Sequence, residues 1–177
     1  MSSLKELTAD KHREAENQEF IKSIFKGEVD VVKYTHYLYQ LRCVYNDLET
    51  YADRLELFKG MEDLKRTKAI SLDYAELANA NPSSYSINNS TIDYLEYLRQ
   101  IKNDKNKIMA HVYVRHMGDL FGGQALAKLL PGPNNMFKFD NIPTLVTTIR
   151  SKLDLSMADE ANRAFDFNID MIKEYNA

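Results

Sequence analysis

Apolar positions recur at helical spacing from end to end of the chain, and no stretch alternates in the period-2 manner of a half-buried strand. The spacing predicts a first helix from Ser2 or Ser3 to about Phe25, with Leu4, Leu7 and Ala15 on its apolar stripe and Gly27 ending it. Asp30 is placed to cap a long helix over 31–58, stopped at Gly60. A shorter helix over 63–78 precedes the polar loop NANPSSYSINNS. Ser90 is expected to cap a helix to about Lys102, and another runs over 107–130 until Pro131-Gly132-Pro133 stops it. Asn141 precedes Ile142-Pro143, and Pro suits the first turn of a helix. Ser156, with Asp159 and Glu160 after it, is expected to begin the last helix, which runs to about Glu174. The fold class predicted is all-α.

Composition narrows this picture without changing it. The 177 residues suit one domain over 1–177, and 44% apolar with 28% charged residues is globular rather than disordered. Only six Gly and four Pro interrupt the helical pattern. A net charge of −3 gives no global pull toward nucleic acid or anionic membrane. One cysteine, Cys43, excludes a disulfide framework and any multi-cysteine metal site. It sits among Leu41, Val44 and Tyr45 as a packed thiol would. The start MSSLKELTADKHREAENQEF has no signal-peptide core, no apolar run reaches membrane-spanning length, and MIKEYNA is no tail anchor. The expectation is a cytoplasmic protein with no membrane partner.

Candidate chemistry concentrates in two segments. In HVYVRHMGDLFGGQALAKLL, beginning at His111, three glycines interrupt a strong helix at roughly 3 kcal/mol in lost propensity. His111, Arg115, Gly118 and Gly122 share a face, with Asp119 at its edge. Bare positions there suit either a close helix crossing or a flat ligand on a glycine surface, with Arg115 and Asp119 as polar groups. In KELTADKHREAENQEF, His12 has Glu16 one turn later, within reach of its ring. That pair is either an ordinary surface contact or a metal-bound histidine whose second nitrogen is held by an acceptor. His36 reads as packing between helices, His111 as a hydrogen-bonded structural residue, and His116 as offset from the glycine face. The nucleophile elbow, the phosphate-binding loops and the di-iron Glu-x-x-His pair are all absent from the sequence.

Taken together, the two segments resemble the haem oxygenase family. His12-Arg13-Glu14-Ala15-Glu16-Asn17 resembles its proximal-helix motif. The run from Tyr113 to Gln124 resembles its distal-helix signature, and Ala164-Phe165-Asp166-Phe167-Asn168-Ile169 its last pocket helix. The resemblance implies a multi-helix bundle with haem between a proximal and a distal helix. It makes His12 the iron ligand, held by Glu16, and pairs Lys5 with a haem propionate. Gly118, Gly122 and Gly123 would let the distal backbone lie close over the macrocycle and bend there, and Asp119 would order the distal waters. Tyr45 and Arg115 match positions supporting that network, Tyr113 and Arg150 lie near the propionates, and Phe165 and Asn168 at the pocket wall.

The implied activity is oxidative cleavage of haem to biliverdin, carbon monoxide and ferrous iron, using O2 and electrons from an external donor. Haem is then both cofactor and substrate. The donor would be ferredoxin, as in cyanobacterial and plastid forms, or a flavoprotein reductase, as in animal forms; Lys11, Arg13 and Lys22 are candidate contacts. The alternative is a haem-binding storage or transfer protein without turnover. Three positions depart from the family's pattern. Phe121 stands where serine is usual, His116 where an aromatic such as tyrosine is usual, and the stretch from Arg150 to Phe165 is short, with no clear second basic residue after Arg150.

Overall fold

The computed structural model describes residues 3–177, so the part of the first-helix expectation that falls on Ser2 lies outside the described residues. Ten α-helices follow one another, with three short 3-10 turns and, among the described residues, no strand. The all-α expectation holds. The first helix, however, is three: α1 (Leu4–Leu7), α2 (Ala9–Glu16) and α3 (Glu19–Phe25). The Thr8 hydroxyl donates to the Leu4 carbonyl at the first break, and extended backbone at Gln18 makes the second. Leu4 and Ala15 are buried as expected, but the break at Thr8 leaves Leu7 43% exposed, outside the stripe.

Helix α4 (Val31–Arg54) starts as expected, with the Asp30 carboxylate accepting from Lys33 N at 2.9 Å. It ends four residues before Phe58. Glu56 takes a left-handed φ of 58°, which turns Leu57, Phe58 and Met61 back into the core. α5 (Thr67–Ala80) starts later than its pattern suggested, because a 3-10 turn occupies Glu62–Leu64. α6 (Asn89–Ile101) is capped at Asn88, not Ser90; the Ser90 hydroxyl is buried without a partner. Buried Gln40 of α4 organises this end instead, accepting from Asn88 N and the Thr91 hydroxyl.

α7 (Lys105–Phe121) is capped by Asp104 and stops at Gly122, well before the proline pair, with the short α8 (Gly123–Leu126) beyond the break. Asn141, with φ of 54°, leads into α9 (Ile142–Ser151), which carries Pro143 in its first turn as expected. α10 (Ala158–Lys173) starts two residues after Ser156. Asp154, not Ser156, caps the preceding 3-10 turn, and Glu160 is buried inside the bundle instead of serving the helix end. α10 packs against both α2 and α7, while α4 packs against α5, α6 and α7. Among the described residues no helix is long and apolar enough to cross a membrane.

Candidate functional site

The middle of helix α7 is buried, and there it carries His111, Arg115, His116 and Asp119 at 0%, 6%, 0% and 9% exposure. Each polar group taken from water there needs a partner, at a cost of about 1–3 kcal/mol if none is supplied. α4 serves two of them. Tyr45 Oη donates to Asp119 Oδ2 at 2.6 Å, and His116 Nε2 lies 2.8 Å from Glu49 Oε2. α10 serves the other two: Asn168 Oδ1 accepts from Arg115 Nη1 at 2.8 Å, and Glu160 Oε2 lies 2.8 Å from His111 Nε2. Tyr94 of α6 completes His111 by donating to Nδ1 at 2.7 Å. His111 is thus the hydrogen-bonded structural residue its position suggested. His36 likewise bonds the Tyr175 hydroxyl at 2.6 Å in a packed aromatic group.

The partners Glu49 and Glu160 were not anticipated as functional positions. Glu49 does leave a trace in the sequence: it follows Tyr45 by four within the apolar stripe Leu41-Val44-Tyr45-Leu48-Ala52, where a carboxylate needs a reason.

The three glycines separate into different roles. Gly118 is exposed, and a Cβ built there would meet nothing within 4 Å. Gly122 is also exposed and sits at the helix break, where a Cβ would lie 3.2 Å from the Gly118 carbonyl oxygen. Gly123 is buried, and a Cβ would fall 2.2 Å from the Phe137 ring. Its bareness is used in packing. Gly118 therefore leaves open surface beside a largely buried carboxyl. Burial pushes the Asp119 carboxyl up to about 6, against the opposing pull of His116, the Tyr45 hydrogen bond, Arg115 and Arg66. Arg115 does not stand beside Asp119 on the open side. Its guanidinium is buried toward α10, 3.3 Å from Met171 Sδ, with Nε unpartnered.

His12 lies on the exposed side of α2, its Nε2 3.0 Å from Glu16 Oε1. Among the described residues its other ring nitrogen has no hydrogen-bond partner. The His12 and Phe165 rings are 5.8 Å apart, and Lys11 pairs with Asp166 at 2.7 Å. Phe165 and Asn168 are one turn apart on α10, so one turn of this helix adjoins His12 on one side and Arg115 on the other. Burial raises the phenol of half-buried Tyr113 of α7 above its ordinary value, against the opposing pull of Thr8 and the Arg150 charge. Arg150 is exposed, its guanidinium 6.0 Å from the Phe121 ring. Lys5 is exposed one turn before Thr8. The structure thus brings His12, Glu16 and Phe165 into one group, Tyr113, Arg150 and Phe121 into a second, and Tyr45, Asp119, Arg115 and Asn168 into a third.

An imidazole with one nitrogen fixed and the other free, an uncovered glycine, and a burial-shifted carboxyl beside it suit a flat metal macrocycle. A family profile described as Heme oxygenase matches residues 1–144. The chain belongs to the haem oxygenase family. It is 29% identical to rabbit (Oryctolagus cuniculus) "Heme oxygenase 2" over 97% of this chain and 64% of that protein. With "Heme oxygenase" of Guillardia theta it shares 30% identity over 97% of this chain and 84% of that one. The chain therefore spans just under two thirds of the rabbit relative's length. The crystal structure of heme oxygenase-1 from the cyanobacterium Synechocystis sp. PCC6803, in complex with heme, superposes with a TM-score of 0.83. It shares 26% identity over 97% of this chain and 89% of that chain. The 205 aligned positions with the Guillardia protein exceed this chain's 177 residues, so that relative carries residues this chain lacks.

The glycine assignments separate in stability. Gly123→Ala should destabilise the haem-free protein by about 1–3 kcal/mol through overpacking against Phe137. Gly118→Ala, with open space, should be neutral or stabilising by up to about 1 kcal/mol. Urea unfolding of both variants checks this, and equal midpoints would count against it.

Asp119 yields a pH prediction. Its carboxyl is raised in the folded state, so between about pH 4 and 6 the folded chain holds more protons than the unfolded one. Stability from this group falls as pH rises through that window. Asp119→Asn should therefore exceed the parent by about 3 kcal/mol at pH 8 and lose that advantage by pH 4. Thermal unfolding across pH reads the difference; a constant gap would contradict the shift.

Proposed function

We propose that this chain is a haem-degrading monooxygenase. One observation carries the reading: a single turn of α10 adjoins His12 through Phe165 and the Asp119-bearing helix through Asn168 and Arg115. Bound haem would supply both the redox iron and the ring that is cleaved, yielding biliverdin, carbon monoxide and ferrous iron with O2 and external electrons.

In this reading the free nitrogen of His12 holds the iron while Glu16 fixes the ring and raises its basicity. Gly118 and Gly122 let the distal backbone approach the macrocycle, and Phe165 walls it beside His12. Lys5, Tyr113 and Arg150 form the polar end that receives the propionates. Gly123 leaves this set, since packing accounts for it. Asp119, titrating near neutral pH, exchanges a proton with water beside Gly118, and Tyr45 fixes the carboxyl's orientation. Arg115 and Asn168 act from behind, holding α7 in register. A storage protein would have no use for this buried carboxyl.

Electrons come from a separate donor, a ferredoxin or a flavoprotein reductase, in the cytoplasm. Of the cationic candidates for that contact, Lys11 is paired with Asp166 and Glu14, and Arg13 with Asp10. Lys22 is the better position.

The experiment is hemin titration followed by a chemical reductant under air, with product spectra. His12→Ala should abolish the histidine-ligated spectrum, and Glu16→Ala should weaken affinity or activity about 10–100-fold. Asp119→Ala should bind hemin nearly as the parent does and form little biliverdin. Parental biliverdin yield from Asp119→Ala would reject its role, and no biliverdin from the parent would leave a haem carrier.

A further inference from the structure

The two buried histidines of α7 have opposite partner chemistry. His111 Nδ1 faces a hydroxyl that can donate, Tyr94 Oη at 2.7 Å, and its Nε2 faces the Glu160 carboxylate. One ring proton satisfies both contacts, as a neutral imidazole requires, and burial lowers its basicity accordingly. His116 has no donor to meet. Its Nδ1 lies 3.1 Å from the Val112 carbonyl oxygen and its Nε2 2.8 Å from Glu49 Oε2. Two acceptors on two ring nitrogens are satisfied only when both nitrogens carry protons.

Glu49 meets the complementary requirement. Its carboxyl accepts from Arg66 N at 2.6 Å, Thr67 N at 3.0 Å and the Thr67 hydroxyl at 2.6 Å, besides His116. With two backbone N–H groups and a hydroxyl donating to its two oxygens, the ionised carboxylate is the form this cage favours. Burial alone would raise it, yet the His116 and Thr67 contacts and the Arg66 N–H hold it below the ordinary value. At 0% and 5% exposure, the pair is shielded from solvent.

We propose that His116 and Glu49 form a buried ion pair that positions the distal helix, and that its imidazolium places a fixed positive charge behind Asp119. His116 is three residues before Asp119, and its ring packs edge-on to Tyr45 with centroids 5.1 Å apart, the same tyrosine that holds Asp119. The other groups acting on Asp119 are Tyr45, Tyr34 and Tyr37 from α4, Arg66 at the start of α5, and Arg115 on its own helix. α10 brings neutral Asn168, which is occupied by Arg115. Arg66 is turned toward the Lys138 and Asp63 carbonyl oxygens, at 2.8 and 2.7 Å. His116 is thus a cation that the usual aromatic at this position could not supply. Its role is to keep the Asp119 proton exchangeable near neutral pH where burial alone would lock it on.

This inference rests on the proposed function only for the use made of Asp119, so its test is run on the haem-free full chain. In histidine 15N NMR at pH 7.5, both ring nitrogens of His116 should read as protonated and those of His111 as a neutral tautomer. An unprotonated His116 nitrogen would overturn the ion pair. In carboxyl 13C titrations, His116→Gln and His116→Phe should each raise the Asp119 midpoint by about one pH unit. His36→Gln, remote from the cluster, should leave it in place. The NMR of the parent stands whether or not either variant folds, and an unmoved midpoint in a folded His116 variant overturns the positioning role. Loss of haem turnover with both NMR results intact would count against the oxygenase reading alone.

Discussion

The hydrogen-bond requirement of α7 governs the rest of the bundle. A helix that takes His111, Arg115, His116 and Asp119 out of water cannot rotate or slide without orphaning several of them at once. Each loss costs about 1–3 kcal/mol, and more for a charged group, which rivals the whole net stability of a domain this size. The partners come from three helices: Tyr45 and Glu49 from α4, Tyr94 from α6, and Asn168 and Glu160 from α10. Apolar packing alone tolerates small slips; these directional contacts do not. They leave one orientation in which Gly118 is bare and outward while Asp119, its neighbour, points inward to Tyr45.

The same constraint couples the two halves of the site. α10 bonds α7 through Glu160 and Asn168 and holds α2 through Asp166 and Phe165. The exposed Lys11–Asp166 pair contributes little by itself, about 0–1 kcal/mol. α2 also packs along α10, with Ala15 buried.

Helix positions were legible because breakers are few and apolar spacing is regular, and Asp30, Gly27 and Pro143 did their expected work. The misplacements share a cause. Ser90 and Ser156 have the chemistry of caps, but the helix starts fall elsewhere: Asn88 stands at the start of α6 with its amide held by Gln40, and Asp154 holds the Ser156 amide. Glu56 in the left-handed region carries no sequence mark, so the end of α4 could not be read. At the site, His12 with Glu16 and Gly118 with Asp119 were visible as local pairs. Long-range partners were not: the separation of 49 residues from His111 to Glu160 gives no local spacing to read. Gly123 shows the same limit, since a bare Cα facing Phe137 and one facing open space look identical in a string.

The connection after α9 shows how the end of that helix is tied down. α9 ends at Ser151 and α10 starts at Ala158, leaving residues 152–157 to join them. The basic residue that follows Arg150, Lys152, is committed elsewhere: its ammonium donates to the Leu57 and Lys59 carbonyl oxygens, each at 2.8 Å. Those carbonyls belong to the segment that Glu56 turns back into the core, so Lys152 ties the end of α9 to the end of α4. Buried Leu145 and Ile149 hold the rest of α9, each worth about 1.5–3 kcal/mol. The Arg150–Phe121 contact, at 6.0 Å and exposed, is worth at most about 0.5–1 kcal/mol. Arg150 is therefore not needed to anchor its helix. With Lys152 spent on structure, Arg150 is the cation that α9 leaves free, and Phe121 supplies the surface over which its guanidinium rests.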